Sequence, residues 1–215
     1  MNKRTLNRLF SQDELWYNEN IHSNLMSKIH SVLIDRKAER LLNQDEYRVQ
    51  STINDFITGH LRNTPFSAVR EWHNIDNVVI HNTSSEPMVI YEVKSFIKPH
   101  ENTVNPKLIF KDILKLSLKK LEYPHIEAYM IIAGKSRVPK QALNSKTLLL
   151  PNKFIDGHNR SSITIELSYL EELRVEQRFI ELANKHEITR ISISPSRWRN
   201  YDGMCAISWR INKIL

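Results

Sequence analysis

The chain has 215 residues, of which 40% are hydrophobic, so it is predicted to form one compact domain that buries roughly 70% of the surface exposed when unfolded. Its net charge of +7 and pI near 9.5 favour a role with polyanionic partners, such as nucleic acid or anionic lipid, over the roles typical of acidic proteins or of proteins that bind neutral solutes. The single cysteine, Cys205, excludes an internal disulfide and a multi-cysteine zinc site, as expected in the reducing cytoplasm.

The N-terminal part is predicted to be helical. Ser11 and Glu14 have the spacing of a capping box. A first helix is expected to reach about Leu42, because apolar residues recur at helical intervals: Ile21, Leu25, Ile29, Val32 and Leu33. A second helix is expected to begin near Asn43 and to end before the sequence RNTP.

Three short strands are predicted next, because the apolar period changes from helical to alternating. They cover SAVREWH, NVVIH and MVIYEVK, with turn chemistry in NTSSEP. A helix is then predicted from Pro106 to about Leu121. Its apolar face would contain Leu108, Ile109, Ile113, Leu116 and Leu121, opposite a row of lysines at Lys107, Lys111, Lys115 and Lys119. The sequence EAYMIIAG predicts a further buried strand.

The remaining chain is predicted to be loop-rich around Pro139 and Pro151, with a helix from about Tyr169 to Lys185. Two late strands follow, ITRISIS and CAISWRI. Neither an internal repeat nor a convincing linker divides the sequence. The pattern therefore predicts an α/β protein with a mixed central β-sheet flanked by helices, in a single domain over residues 1–215.

Two charges interrupt the apolar strand MVIYEVKSF. Because side chains alternate along a strand, Glu92 and Lys94 project to one face, roughly 7 Å apart. Asp76 stands at the start of the preceding strand, so a hairpin between the two strands would bring Asp76 beside Glu92. Unpaired buried charge is costly, so these residues form either a structural ion pair or part of an active site.

Two carboxylates with an ammonium group at the end of a sheet suit a hard divalent ion. Mg²⁺ prefers oxygen ligands and is usually held by one or two carboxylates together with water and substrate phosphate. Such an ion stabilises charge on a scissile phosphate and lowers the pKa of a bound water, which a lysine can position or help to deprotonate. The arrangement is therefore typical of phosphodiester hydrolysis.

The sequence resembles the PD-(D/E)XK nuclease superfamily in two respects. Asp76 is followed, after an interval of fifteen residues, by Glu92-Val93-Lys94, and the predicted order of helix, three strands, helix and strand matches the core of that superfamily. The resemblance covers about residues 43–133 and implies a restriction endonuclease-like αβββαβ core. Residues 1–42 would be an N-terminal helical extension, and residues 134–215 would add a helix and a β-hairpin. It further implies that Asp76 and Glu92 bind Mg²⁺ and that Lys94 serves the attacking water, although Ile75 replaces the proline often found there.

Two more acidic residues are candidates through this resemblance. Many members carry an acidic residue on the first core helix, here Glu46, which falls on one helical face with Gln50 and Ile53. The alternative is that Glu46 forms a capping box with Asn43. Asp112 lies on the helix after the active strand, as an acidic residue does in some members, and the alternative is a solvated or helix-start acid.

Basic residues near the proposed centre predict contacts with a phosphate backbone, among them Lys98, Lys111 and Lys115. An ordinary solvated helix face would have the same pattern. The late stretch SPSRWRNYDGM is predicted to form a hairpin loop that recognises bases, through Arg197, Trp198, Arg199, Asn200 and Tyr201. The alternative is that its aromatic residues cap the core and its arginines are solvated.

Other function classes lack the residues that they need. Four glycines in the whole chain exclude a dinucleotide-binding fingerprint, and Tyr129 stands where a phosphate-binding loop ending at Gly134-Lys135 needs a glycine. The sequence contains no H-E-x-x-H motif, and its His-Asn pairs lack the helix and the cysteines of another nuclease class. Because no window of about 18 apolar residues occurs, we expect neither a membrane span nor a signal peptide.

These observations predict a Mg²⁺-dependent endonuclease acting on double-stranded DNA, specifically a type II restriction-type enzyme. One site per subunit needs two copies to cut both strands, so a homodimer is expected. Another role in the same superfamily, such as repair, junction resolution or transposition, is an alternative. A non-catalytic DNA-binding or assembly module is a second alternative, in which Glu92 and Lys94 form a satisfied pair.

Overall fold

The computed structural model describes residues 19–39, 45–96, 106–135, 162–201 and 203–214. The first half contains α1 (Glu19–Glu39), α2 (Asp45–His60), β1 (Phe66–Trp72), β2 (Ile75–His81), β3 (Pro87–Phe96), α3 (Pro106–Glu122) and β4 (Glu127–Lys135). The second half contains β5 (Ile163–Glu166), α4 (Leu167–Glu172), α5 (Gln177–Lys185), β6 (Arg190–Tyr201) and β7 (Met204–Ile214).

All seven described strands belong to one sheet in the order β1-β2-β3-β4-β7-β6-β5. Strands β1, β2 and β3 form an antiparallel meander, whereas β3 and β4 are parallel and are joined by α3, as a parallel pair requires a crossover. The remaining neighbours pair in the antiparallel sense. The protein is therefore an α/β protein with a mixed sheet, as the sequence predicts.

The sheet has an apolar layer on each face, because its central strands are apolar at nearly every position. One layer packs with α3, α4 and α5 and includes Ile90, Phe110 and Trp209. The other packs with α1 and α2 and includes Leu25 and Tyr91. A continuous apolar run such as that of β3 is typical of a strand covered on both faces.

The predicted order of helix, three strands, helix and strand is confirmed for the first half of the chain. The helix predicted from Tyr169 to Lys185 is wrong, because the chain leaves α4 through Arg174 in a left-handed conformation (φ 53°) before α5 begins. Strand β5 was not predicted, and β6 and β7 are longer than predicted. Among the helices described, none is long and apolar enough to cross a membrane.

The predicted recognition loop is also wrong in its local structure. The described backbone from Arg197 to Tyr201 belongs to β6 and pairs with β7, so that Trp198 lies opposite Ile207. The hairpin turn comes only after Tyr201. The capping box of Ser11 and Glu14 and the loop around Pro139 and Pro151 lie outside the described residues.

Candidate active site

Strands β2 and β3 bring Asp76 to Glu92. Asn77 pairs with Tyr91 in the antiparallel register, and one further step along both strands reaches Asp76 and Glu92. The Oδ2 atom of Asp76 accepts a hydrogen bond of 2.7 Å from the backbone N–H of Val93. The predicted hairpin and the proximity of its two carboxylates are therefore confirmed.

Alternation along β3 turns Glu92 and Lys94 towards α3, while Tyr91 and Val93 join the layer under α1 and α2. The side chain of Glu92 is 1% exposed and that of Lys94 is 17% exposed. Asp76 is also buried. The two carboxylates thus lie in a nearly dry site, and the lysine beside them keeps limited access to solvent.

Each charge of β3 has a partner of opposite sign on α3. The Lys94 Nζ atom lies 2.9 Å from Asp112 Oδ2, and Lys115 Nζ lies 2.6 Å from Glu92 Oε1. A third distance, 3.6 Å, joins Lys115 Nζ to Asp112 Oδ1. Glu92 and Lys94, two residues apart on β3, therefore contact two residues of α3 that are three apart. The four side chains form one cluster.

Two sequence-based interpretations of α3 are corrected. Asp112 is not a solvated or helix-start acid, because it is the seventh residue of the helix and 1% exposed. Lys115 does not lie on the solvated side opposite the apolar face: it is one turn after Asp112, and its stem carries the ammonium to Glu92. Conversely, Leu108, predicted on the apolar face, is 42% exposed.

The charge balance of the cluster makes Glu92 difficult to ionise. Burial, reinforced by the negative charges of Asp76 and Asp112, raises the pKa of Glu92 well above the usual range for a carboxyl, and Lys115 opposes the shift. Three carboxylates meet two ammonium groups here, if Lys94 is counted with Lys115. A bound proton or an additional cation would therefore stabilise the site.

The donor set fits Mg²⁺ chemistry. Glu92 Oε2 is buried and has no hydrogen-bond partner among the described residues. In the same part of the chain, no group of three or more His, Cys, Asp or Glu side chains is arranged to hold a metal by itself. Mg²⁺ is commonly held by one or two carboxylates with water and substrate oxygens completing the shell, so Asp76 and Glu92 suffice as protein ligands.

The other predicted site residues lie away from this cluster or cannot be placed. Glu46 is the second residue of α2, but its side chain lies outside the described residues, as does Lys98. Gln50, one turn further along α2, is buried and accepts a hydrogen bond of 3.3 Å from Arg70. Lys111 lies 3.5 Å from Glu176. The side chains of residues 197–201 also lie outside the described part of the structure.

Comparisons with protein families, curated proteins and solved structures gave no significant match. The function must therefore be inferred from the cluster itself, that is, from the identity of its groups, their burial and their distances.

Proposed function

We propose that the protein is a Mg²⁺-dependent endonuclease that hydrolyses phosphodiester bonds in DNA. The observation that carries the proposal is the buried pair of carboxylates, Asp76 and Glu92, at adjoining positions of β2 and β3, with the Lys94 ammonium on the same face. The net charge of +7 supports a polyanionic substrate. Within this class, a type II restriction-type enzyme acting as a homodimer on double-stranded DNA is the form that we propose.

Asp76 and Glu92 are the residues that would hold the ion. When bound, Mg²⁺ supplies charge stabilisation at the scissile phosphate and a more acidic water. The Val93 N–H fixes the orientation of the Asp76 carboxylate through Oδ2. Lys94 is the most exposed group of the centre, so its ammonium can orient a water molecule or stabilise the negative charge that develops on the phosphate.

The nuclease activity is tested by incubating supercoiled plasmid and linear duplex DNA with Mg²⁺, Ca²⁺ or a chelator. We expect cleavage by the wild type with Mg²⁺ only. The variants Asp76→Asn and Glu92→Gln should each lose about 10²-fold or more in rate, because each removes one of two anionic ligands. A matched control is Glu127→Gln, which removes a carboxylate from the neighbouring strand β4 that pairs with Arg210 instead.

Two results would contradict this proposal in different ways. Failure of the wild type to cut any DNA with any divalent ion would exclude the enzyme. Full activity of Glu92→Gln would show that the active site lies elsewhere.

A non-catalytic DNA-binding module is the second candidate, and one observation favours it: Glu92 and Lys94 each have an oppositely charged partner on α3. This candidate predicts DNA binding that is the same with Mg²⁺ and with a chelator. It also predicts that Asp76→Asn binds DNA like the wild type and that neither protein cuts it.

A further inference from the structure

We propose that helix α3 supplies the positioning residues of this centre, Asp112 for the ammonium of Lys94 and Lys115 for the carboxylate of Glu92. This inference rests on the proposed nuclease function and extends it to a second element of the fold. Asp112 and Lys115 are three residues apart on α3, which places both on the side facing β3. Neither needs to touch the substrate to affect the reaction.

Asp112 determines where the Lys94 ammonium lies. A lysine side chain has a flexible four-carbon stem, so its ammonium needs an ion-pair or hydrogen-bond partner to be held at one position. The Oδ2 atom of Asp112, 2.9 Å from Lys94 Nζ, is such a partner, and its carboxylate is 1% exposed. Because Asp112 itself sits within a regular helix packed on the sheet, this partner is rigid.

Lys115 connects three parts of the site. Its ammonium contacts Glu92 Oε1 at 2.6 Å and donates a hydrogen bond of 2.7 Å to the backbone oxygen of Asn74, in the turn that precedes Asp76. The Asp112 carboxylate is its third contact. Two of the three N–H donors of this ammonium are thereby used within the protein, and the nearest Asp112 oxygen lies at 3.6 Å, so the group is directed at the protein rather than at a phosphate.

Stability alone does not account for this cluster. Replacing a buried ion pair with apolar residues of similar volume is often neutral or stabilising by about 1–4 kcal/mol, because ions lose their hydration on burial. Four charges at the interface of α3 and β3, where the surrounding residues are apolar, are therefore better explained by the need to orient Glu92 and Lys94. Asp112 and Lys115 hold those two groups from the same face of α3.

The test is a double-mutant cycle between Lys94→Met and Asp112→Asn, with kcat and KM for duplex DNA measured separately. We expect Asp112→Asn to lower kcat by about 10–100-fold, as is typical when the residue behind a functional group is removed, with little change in KM. In the Lys94→Met background the same change should have a much smaller effect on kcat, since Asp112 acts mainly through Lys94. Removing both partners also leaves no unpaired ion, which protects folding.

Lys115 is tested in the same way through Mg²⁺ affinity, measured by titration calorimetry without DNA. Lys115→Met should lower the affinity by about 10-fold or more because Glu92 loses its fixed orientation, whereas Lys115→Arg should retain most of it. Glu122→Gln is the matched control, because it removes another acid of α3 that pairs with a lysine, outside the cluster. Acetylation of Lys94, followed by mass spectrometry, should be faster in Asp112→Asn than in the wild type or this control.

The outcomes separate the inference from the function on which it rests. Unchanged kcat in Asp112→Asn, or losses that add in the double variant, would overturn the positioning role while Glu92→Gln still abolished cleavage. Unchanged or higher Mg²⁺ affinity in Lys115→Met would overturn the role of Lys115. Absence of cleavage by the wild type would remove the proposed nuclease and the inference together.

Discussion

At the scale of single residues, Glu92 lies where burial and neighbouring charges oppose its ionisation. The raised pKa means that the folded protein binds this proton more tightly than the unfolded chain does. The contribution of this proton to the free energy of unfolding is therefore complete at a pH below the pKa of Glu92 in the unfolded chain. It is lost as the pH rises through the higher pKa of Glu92 in the folded protein. Above that pH, Glu92 is ionised in the folded protein, where it is buried beside two other carboxylates.

This sign leads to a stability prediction for Glu92→Gln in the presence of a chelator. The amide is neutral at every pH, and Lys115 keeps its hydrogen bond to Asn74 and its contact with Asp112. The variant should therefore melt at a higher temperature than the wild type at pH 7–8, by ~2–4 °C for each kcal/mol recovered. The gain should shrink as the pH falls towards 4.5. Thermal unfolding followed by circular dichroism over this pH range measures the difference.

Glu122→Gln provides the comparison of opposite sign. The hydrogen bond from Lys119 lowers the pKa of Glu122, so this carboxylate stabilises the fold above its unfolded pKa and the amide should lower the melting temperature slightly at neutral pH. A lower melting temperature for Glu92→Gln than for the wild type at pH 7–8 would contradict the assigned shift.

Asp76 and Glu92 could be predicted to meet because the evidence is local: a turn, a hairpin and strict alternation. The partners of Glu92 and Lys94 were missed because they depend on how α3 is rotated about its axis against the sheet. One signal was present in the sequence. Asp112 lies three residues after Ile109 and one before Ile113, within the apolar stripe of α3, so a charge at this position is expected to face the sheet.

At the scale of elements, the end of α4 shows how a helix can stop without glycine or proline. Arg174 takes the left-handed conformation, its N–H donates to the Glu171 carbonyl, and the N–H of Val175 donates to the Leu170 carbonyl. This pair of bonds closes a helix end, and glycine is the residue usually found at the left-handed position. Apolar periodicity continues across the break, which explains why one long helix was predicted.

The variant Arg174→Gly should stabilise the protein. A left-handed conformation costs a residue with a side chain about 1–2 kcal/mol, and the greater freedom of glycine in the unfolded chain offsets part of the gain. We expect a net gain of about 0.5–1 kcal/mol, measured by urea denaturation. Glu181→Gly, at an exposed position of α5, should instead lose about 1 kcal/mol. Destabilisation by both substitutions would contradict the assigned conformation.

Most of the first seven elements could be predicted because each has a period and a boundary of its own. Pro106 starts α3 as expected, and the turn after His81 separates β2 from β3. The second half was predicted less well, since β5 has only four residues and the segment that lengthens β6, residues 197–201, is mostly polar and charged. Its pairing with β7 is therefore not evident from an apolar pattern.

At the scale of the whole molecule, the sheet continues beyond residues 43–133, the part of the chain that resembles the nuclease core. Strand β7 pairs with β4 from Tyr129 to Lys135, and Trp209 of β7 is buried in the same apolar layer as Phe110 of α3. The predicted core of residues 43–133 would therefore have an uncovered edge if the later strands were removed.

A fragment of residues 1–135 should fail to fold cooperatively. It lacks the hydrogen-bond partners of β4 and the apolar side chains that complete the layer under α3. Denaturant titration followed by tryptophan fluorescence would show a broad, non-cooperative change. The full chain with Arg210→Ala, which removes the ion pair with Glu127 at the same interface but keeps the pairing of β4 with β7, should keep one sharp transition. A sharp transition of the fragment would instead establish an independent core domain.

The two charged residues of β3, Glu92 and Lys94, also affect the register in which this strand pairs. Slippage of this strand by one residue would turn Glu92 and Lys94 into the layer that contains Leu25 and would leave Asp112 and Lys115 facing apolar side chains. Each buried ion left unpaired costs several kcal/mol. The residues proposed for catalysis therefore also select the correct alignment of the central strand.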